Sequence, residues 1–200
     1  MSGPFRTVKP IVLASGSPRR KDLLGSLGID FDIVPSTVQE PEPYSGEFPE
    51  AYALRLAKMK ALDVAQSRAG AFVLGADTVV AVGDLILGKP RHAREAELML
   101  ARLSGRDHKV VTGCYLAGDD GVSAWDYTIT SQVRMAAITE EVIAAYVATG
   151  EPMDKAGAYA IQGQGAFMIV GIAGSYTNVV GLPLAETVTA LLTVKAIATP

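Results

Sequence analysis

The chain has a single cysteine, Cys114, so no disulfide can close within it, and this usage fits a reducing cytoplasm. Cys114 sits in an apolar run and reads as a small strand residue rather than a catalytic thiol. Histidine is almost as scarce: His92 and His108 alone cannot build a His-rich transition-metal site. Any metal is therefore expected to be a hard cation, held by carboxylates and phosphate oxygens. Long apolar runs are missing too. Phe72 to Val82 is interrupted by Gly75 and Asp77, far short of the roughly 18 residues of a membrane span, so no membrane partner is expected. Met1 to Pro10 carries Arg6 and Lys9 but no apolar stretch ahead of a cleavage site, so no secretory signal is expected. Excess positive charge is absent as well. A formal net charge of −3 argues against nucleic acid as a partner. A small polyanion remains open, because a few cations focused in one cleft would suffice to hold it.

What is present is ordinary for a soluble globular enzyme, with 49% apolar and 20% charged residues among 200. Ile11 to Ser15 reads as a buried strand and Pro18 to Leu27 as a helix, with Ser17 as N-cap, Pro18 in the first turn and Gly28 past the end. Phe31 to Pro35 reads as a strand, and Thr37 to Phe48, rich in Pro, Glu and Ser, as the segment expected to be most mobile. Ala51, Leu54, Ala57, Ala61 and Ala65 recur at helical spacing within a helix over Glu50 to Ser67. Phe72 to Val82 and Leu85 to Leu87 flank Gly83-Asp84, a two-residue hairpin turn. A helix over Ala93 to Ser104 closes at Gly105. Lys109 to Ala117 and Val122 to Met135 form a second hairpin around Gly118-Asp119-Asp120-Gly121. Thr139 caps a helix to Thr149 that Gly150 ends, short strands pass through Ile161 and Phe167 to Val170, and Pro183 to Val194 is the last helix. Strands and helices intermix without repeat or linker, so residues 1–200 are expected to form a single mixed α/β domain.

Four stretches could carry chemistry. In LASGSPRR, residues 13–20, a strand feeds a helix start, which aims backbone N–H groups and the positive end of the helix dipole at one point. Ser15 and Ser17 add hydroxyls, Gly16 permits close approach, and Arg19 and Arg20 can fork onto phosphate oxygens. The same residues equally describe an ordinary helix start with a solvated basic turn. In LGADTVV, residues 74–80, Asp77 stands in an apolar run where an unpaired carboxylate would be very costly to bury. It must lie at a strand end, meet a cation, bind a metal or be protonated; a structural pair with Lys or Arg is the competing account. Lys60 in LAKMKA and Lys89 in LGKP read singly as surface lysines. The segment GEPMDKAGAYAIQGQGA, residues 150–166, places Asp154, Lys155 and Gln162 among small residues. It could be a structural loop, or its Gln162 amide could read a nucleobase edge with a donor and an acceptor together.

Taken in order, LASGSPRR, LAKMKA, GADTVV, LGKP, LSGRDHKVVTG, EPMDKAGAYAIQG and GSYTNVVGLPL resemble the Maf family of nucleoside triphosphate pyrophosphatases, also called septum-formation proteins, from about Ile11 to Leu192. The resemblance implies a mixed central β-sheet flanked by helices, in two lobes around a deep cleft, akin to the inosine-triphosphate pyrophosphatases. It implies a cytoplasmic homodimer that cleaves a nucleoside triphosphate to monophosphate and pyrophosphate with a divalent metal, Mg²⁺ or Mn²⁺. By position, Asp77 is the catalytic acid, while Ser15, Arg20, Lys60 and Lys89 hold the phosphates. Glu40 joins Asp77 in metal or water handling. Arg19, Thr78 and Gln162 fall on the three specificity positions, where Arg, Thr and Gln resemble the dTTP/UTP type; Trp, Gln and Glu mark the 7-methyl-GTP type. One departure is Val38-Gln39-Glu40, where relatives often carry two adjacent acids. Lys195 to Pro200 lies outside the resemblance and is expected to fray. Two alternatives remain at this stage: an enzyme of this family for another or modified nucleotide, and a non-hydrolytic nucleotide-binding regulator of cell division.

Overall fold

The computed structural model describes residues 3–118, 120 and 122–200. The chain divides into two compact units, one formed by residues 1–77, 112–129 and 181–200, the other by residues 78–111 and 130–180.

In the first unit, alternation along three strands builds two cores. Strand β2 (Ile11–Leu13) pairs in parallel with β3 (Asp32–Ile33) and with β4 (Phe72–Val82). Along β2, β4 and β6 (Asp107–Ala117), side chains point alternately to opposite faces, as the pleat requires. Ile11, Leu13, Phe72, Leu74, Cys114 and Leu116 therefore enter one cluster, and Val12, Val73, Tyr115 and Ala117 the other. Burial on both faces explains the near-continuous apolar runs that marked these strands in the sequence. Helices α1 (Pro18–Gly25) and α6 (Leu184–Thr193) supply Leu24, Ala190 and Leu191 to the first cluster. Helix α2 (Pro49–Ala65) supplies Ala57, Ala61 and Val64 to the second.

The apolar stripe of α2 is rotated from the one expected. Tyr52, Ala53, Leu56, Ala57, Ala61 and Val64 are buried, whereas Ala51 is exposed and Leu54 and Ala65 only half-buried. Two glycines set this face. A Cβ on Gly75 of β4 would overlap the Ala57 carbonyl oxygen, and one on Gly113 of β6 would overlap the Leu54 nitrogen. Bare backbone at both places lets α2 lie directly against the strands.

The tail is also not as expected. Ile197–Ala198 forms strand β9, antiparallel to β1 (Arg6–Thr7), and Ile197 is 2% exposed. Ala196 and Ile197 are core, while Thr199 and Pro200 are exposed. Loop 34–48 contains neither helix nor strand, but it is tied down: Ser36 Oγ and the Thr37 amide both donate to Asp63 Oδ2.

In the second unit, the end of β4 turns at Gly83 (φ +56°) into β5 (Leu85–Leu87), with Val82 facing Leu85, as the hairpin reading expects. Helix α3 (Ala93–Leu103) starts with His92 Nδ1 accepting from the Glu95 amide. Helix α4 (Glu140–Ala148) starts with Thr139 Oγ1 accepting from the Val142 amide, and Gly150 follows at φ +77°. Strand β7 (Ser123–Met135) pairs with β8 (Ile169–Ala173), and a short helix α5 (Tyr176–Val180) precedes the return to the first unit. Val80, Leu100, Leu103, Val133, Ile143, Tyr146 and Met168 form this unit's core. Between Gly150 and Ile169 the expected strand through Ile161 is replaced by three 3₁₀ turns, Glu151–Asp154, Ala156–Ala158 and Gln164–Met168. Of the predicted turn at 118–121, positions 119 and 121 lie outside the described residues.

The strand order of the main sheet is β3-β2-β4-β6-β7-β8, with β5 beside β4; parallel and antiparallel pairs coexist, and helices accompany the strands. This is the mixed α/β class expected from the sequence.

Candidate active site

The site is organised around one ammonium. Lys60 projects from α2 one residue before Ala61, whose backbone nitrogen would lie 2.8 Å from a Cβ on Gly75. Asp77 lies two residues beyond Gly75 and thus on the same face of β4. Close helix–strand contact consequently brings Lys60 Nζ within 2.5 Å of Asp77 Oδ1. The same nitrogen lies 2.7 Å from Glu40 Oε1, which arrives from loop 34–48. Side-chain exposure is 12% at Lys60 and 11% at Asp77 but 43% at Glu40, so one carboxylate is deep and the other faces solvent.

Burial raises the Asp77 carboxyl above its ordinary range, and Lys60 and Arg20 pull it back. Arg20 answers the same field from the other side: burial lowers its guanidinium, and Asp77 opposes that shift. The Arg20 fork is fixed by its own contacts, Nε donating to the Gly181 carbonyl (2.8 Å) and Nη1 to Ser15 Oγ (3.1 Å). Ser15 is 8% exposed, and its Oγ also accepts from the Ser17 amide at 3.3 Å. Ser17 itself stands at the N-cap of α1 but makes no side-chain capping bond, contrary to the sequence reading. Its backbone carbonyl instead accepts from the Lys21 amide.

Sequence spacing did not disclose what holds Glu40. Tyr52 Oη donates to the Pro41 carbonyl at 3.0 Å. Arg55 makes a bidentate pair with Glu47 (Nε–Oε1 2.8 Å, Nη2–Oε2 2.6 Å), and its guanidinium lies 4.1 Å from the Tyr44 ring centroid. These residues belong to one helix and one loop, and nothing in their local pattern distinguishes them from surface side chains.

The structure thus gathers Ser15, Arg20, Glu40, Lys60 and Asp77 in the first unit, with Arg19 half-buried on α1. Lys60 is no surface lysine. Thr78, Lys89 and Gln162 belong to the second unit, where Lys89 and Gln162 are exposed. Within that unit the Gly88 carbonyl accepts from the Gly157 amide at 3.0 Å, joining the LGKP turn to the 150–166 segment. Gly157 has φ +67°, and a Cβ there would crowd the Val80 side chain at 2.9 Å. Among the described residues, no group of three or more His, Cys, Asp or Glu side chains is placed to hold a metal ion, and no helix is long and apolar enough to cross a membrane.

Two cations and two carboxylates thus gather beside the mixed sheet of an α/β protein, a set of charged groups that ordinary surface chemistry does not assemble. The comparisons narrow this. The chain belongs to the Maf-like protein family, whose description matches residues 10–194. It is 52% identical over 191 residues to a dTTP/UTP pyrophosphatase of Nitratidesulfovibrio vulgaris, covering 96% of this chain and 90% of that one. It is 50% identical over 181 residues to a dTTP/UTP pyrophosphatase of Myxococcus xanthus, covering 90% of each. Among solved structures, a nucleoside-triphosphatase / dITP/XTP pyrophosphatase of Mycobacterium abscessus aligns over 94% of this chain and 95% of its own at 18% identity, with a TM-score of 0.44.

Proposed function

We propose that this protein hydrolyses dTTP and UTP to the monophosphate and pyrophosphate. The observation that carries the reading is the Lys60 ammonium between the deep Asp77 and the outer Glu40, beside the Arg20–Ser15 pair. A carboxylate this buried keeps its charge only through its cations. Those cations are the groups that a triphosphate needs, because four negative charges must be neutralised before a nucleophile approaches phosphorus. The names of relatives at about half identity over nearly the whole chain support the choice of pyrimidine nucleotides.

Asp77 orients the attacking water and takes its proton. The water oxygen bonds to the α-phosphorus, the bond from that phosphorus to the α–β bridging oxygen breaks, and its electron pair leaves with pyrophosphate. Arg20, Lys60 and Lys89 hold phosphate oxygens, with Ser15 as a hydroxyl donor. Asp77 and Glu40, which both reach the Lys60 ammonium, are the two hard oxygen ligands that would hold a divalent cation such as Mg²⁺ or Mn²⁺. When bound there, such a cation polarises a phosphate oxygen and acidifies water. Arg19, Thr78 and Gln162 select the base, with Gln162 offering a donor and an acceptor to the imide edge of thymine or uracil. We also propose a cytoplasmic location, which the single cysteine of the sequence fits, and a homodimer, which the family resemblance implies.

Hydrolysis of dTTP in ¹⁸O-labelled water tests the site of attack. Label in dTMP is the expected result; label in pyrophosphate or free phosphate would contradict attack at the α-phosphorus.

A further inference from the structure

The loop that carries Gln162 is held by the carboxylate of Glu151, which opens EPMDKAGAYAIQG and for which the sequence suggested no role. Glu151 opens the first 3₁₀ turn after α4, and its side chain turns back under residues 163–165. Oε2 accepts from the Gln164 amide at 2.9 Å, and Oε1 accepts from the Gly165 amide at 2.9 Å and from Tyr146 Oη at 2.9 Å. Tyr146, on α4 and 4% exposed, also accepts the Ala160 amide at 3.4 Å through the same hydroxyl. Backbone amides two residues before Gln162 and two and three residues after it are therefore tied to one Tyr–Glu pair. Lys155 secures the base of this pair, Nζ donating to the Glu151 carbonyl at 2.7 Å and lying 2.5 Å from Asp154 Oδ1.

Gly163 completes the arrangement. At φ +105° it takes a conformation that L side chains rarely adopt, and a Cβ there would lie 2.7 Å from Glu151 Oε2. The loop can wrap the carboxylate only because that position is bare. Burial works against the charge on Glu151. The two amides, the Tyr146 hydroxyl and Lys155 outweigh it, so the carboxyl stays below its ordinary range. The exposed Gln162 amide thus projects from a backbone fixed on both sides.

We propose that Glu151, with Tyr146, is a positioning residue for base selection, fixing the 160–165 backbone so that Gln162 presents its amide in one orientation. This rests on Gln162 reading the pyrimidine, as in the proposed function. A glutamine that must offer donor and acceptor to fixed partners loses discrimination once its backbone can rotate, whereas Ser15, Arg20 and Lys60, three of the four proposed phosphate-holding groups, belong to the other unit. Loosening the loop should therefore raise KM for pyrimidine triphosphates and leave kcat nearly unchanged.

The test compares wild type, Glu151→Gln, Tyr146→Phe, Gln162→Ala and Glu151→Gln/Gln162→Ala on dTTP, UTP and dGTP. Glu151→Gln is near-isosteric but replaces one acceptor oxygen with a donor facing backbone N–H groups. It should lower the ratio of kcat/KM for dTTP to that for dGTP by about tenfold, chiefly through KM. Tyr146→Phe should act in the same direction but less. The double variant should be no worse than Gln162→Ala, and amide hydrogen exchange at Gln164 and Gly165 should accelerate in Glu151→Gln. A uniform loss on all three nucleotides with the ratio intact would reduce Glu151 to a structural residue and overturn the inference alone. So would additive losses in the double variant. A wild type with no pyrimidine preference would overturn the reading of Gln162, and the inference with it.

Discussion

Lys60 and Asp77 should be strongly coupled in stability, and a double-mutant cycle measures that coupling. The perturbations are Lys60→Met, Asp77→Asn and the pair. Lys60→Met leaves the Asp77 carboxylate, 11% exposed, without the ammonium that sits 2.5 Å away, and only Arg20 remains to offset the charge. Removing one partner of a buried pair typically costs about 3–5 kcal/mol. We place this variant near the lower end, because the carboxylate can take up a proton and Arg20 still acts on it. In a chain of this length ~3 kcal/mol corresponds to roughly 6–12 °C in Tm. Asp77→Asn should cost less, about 1–2 kcal/mol, because Lys60 keeps Glu40 at 2.7 Å and can still donate to the amide oxygen. The double variant removes the ammonium and the carboxylate together and leaves Arg20 to its contacts with Ser15 and the Gly181 carbonyl, so it should be more stable than the sum of the singles by about 2 kcal/mol. Urea and thermal unfolding at pH 7 give the four values. Additivity within about 0.5 kcal/mol would refute the claim that this pair is desolvated and mutually compensating.

Two further outcomes follow from buried groups outside the site. His108 is 3% exposed, its Nε2 lies 2.7 Å from Tyr159 Oη, and burial pushes its pKa from 6.5 down to about 4. The unfolded chain therefore takes up a proton first as pH falls. The stability contributed by neutral His108 is full above pH 6.5 and lost on acidification towards 4, by about 2 kcal/mol already at pH 5. Thermal unfolding between pH 7 and 5 should show this slope in wild type and not in His108→Phe; equal slopes would contradict it. Ile197→Ala should cost about 2–5 kcal/mol in urea unfolding, since the side chain is 2% exposed beneath β1, whereas a frayed tail would give no change.

The elements that were legible in the sequence carry local signals strong enough to stand alone. Gly83-Asp84 between two apolar runs marks the β4–β5 hairpin, Thr139 sits where a helix start needs an acceptor, and two-sided burial leaves β2, β4 and β6 as apolar runs. The rest depended on tertiary partners. The buried face of α2 is chosen by Gly75 and Gly113, residues on strands far along the chain, while the alanines around the helix leave its own periodicity ambiguous. Strands β1 and β9 are two residues each, too short to show alternation. The short strand expected through Ile161 is absent, because glycines at positive φ and the Glu151 carboxylate bend this segment into 3₁₀ turns. In the candidate site, Asp77 was conspicuous because a carboxylate in an apolar strand demands a partner. That partner, Lys60, looked like any helix-surface lysine until the fold placed it. Arg55 and Tyr52 gave no signal, since each acts by holding a loop, and Glu151, though it opens EPMDKAGAYAIQG, has a role visible only in the folded loop.

Asp77, compensated by Lys60 and Arg20, is proposed to drive pyrophosphate release from pyrimidine triphosphates. Pyrophosphate formation from dTTP and UTP, measured beside purine triphosphates and 7-methyl-GTP with Mg²⁺ and Mn²⁺, in wild type and Asp77→Asn, tests it most directly. The account predicts preference for dTTP and UTP in the wild type and a fall of at least about 10²-fold in kcat in Asp77→Asn, with the variant still folded. Turnover of Asp77→Asn within a few-fold of wild type, or a wild type that prefers purine triphosphates, would contradict it.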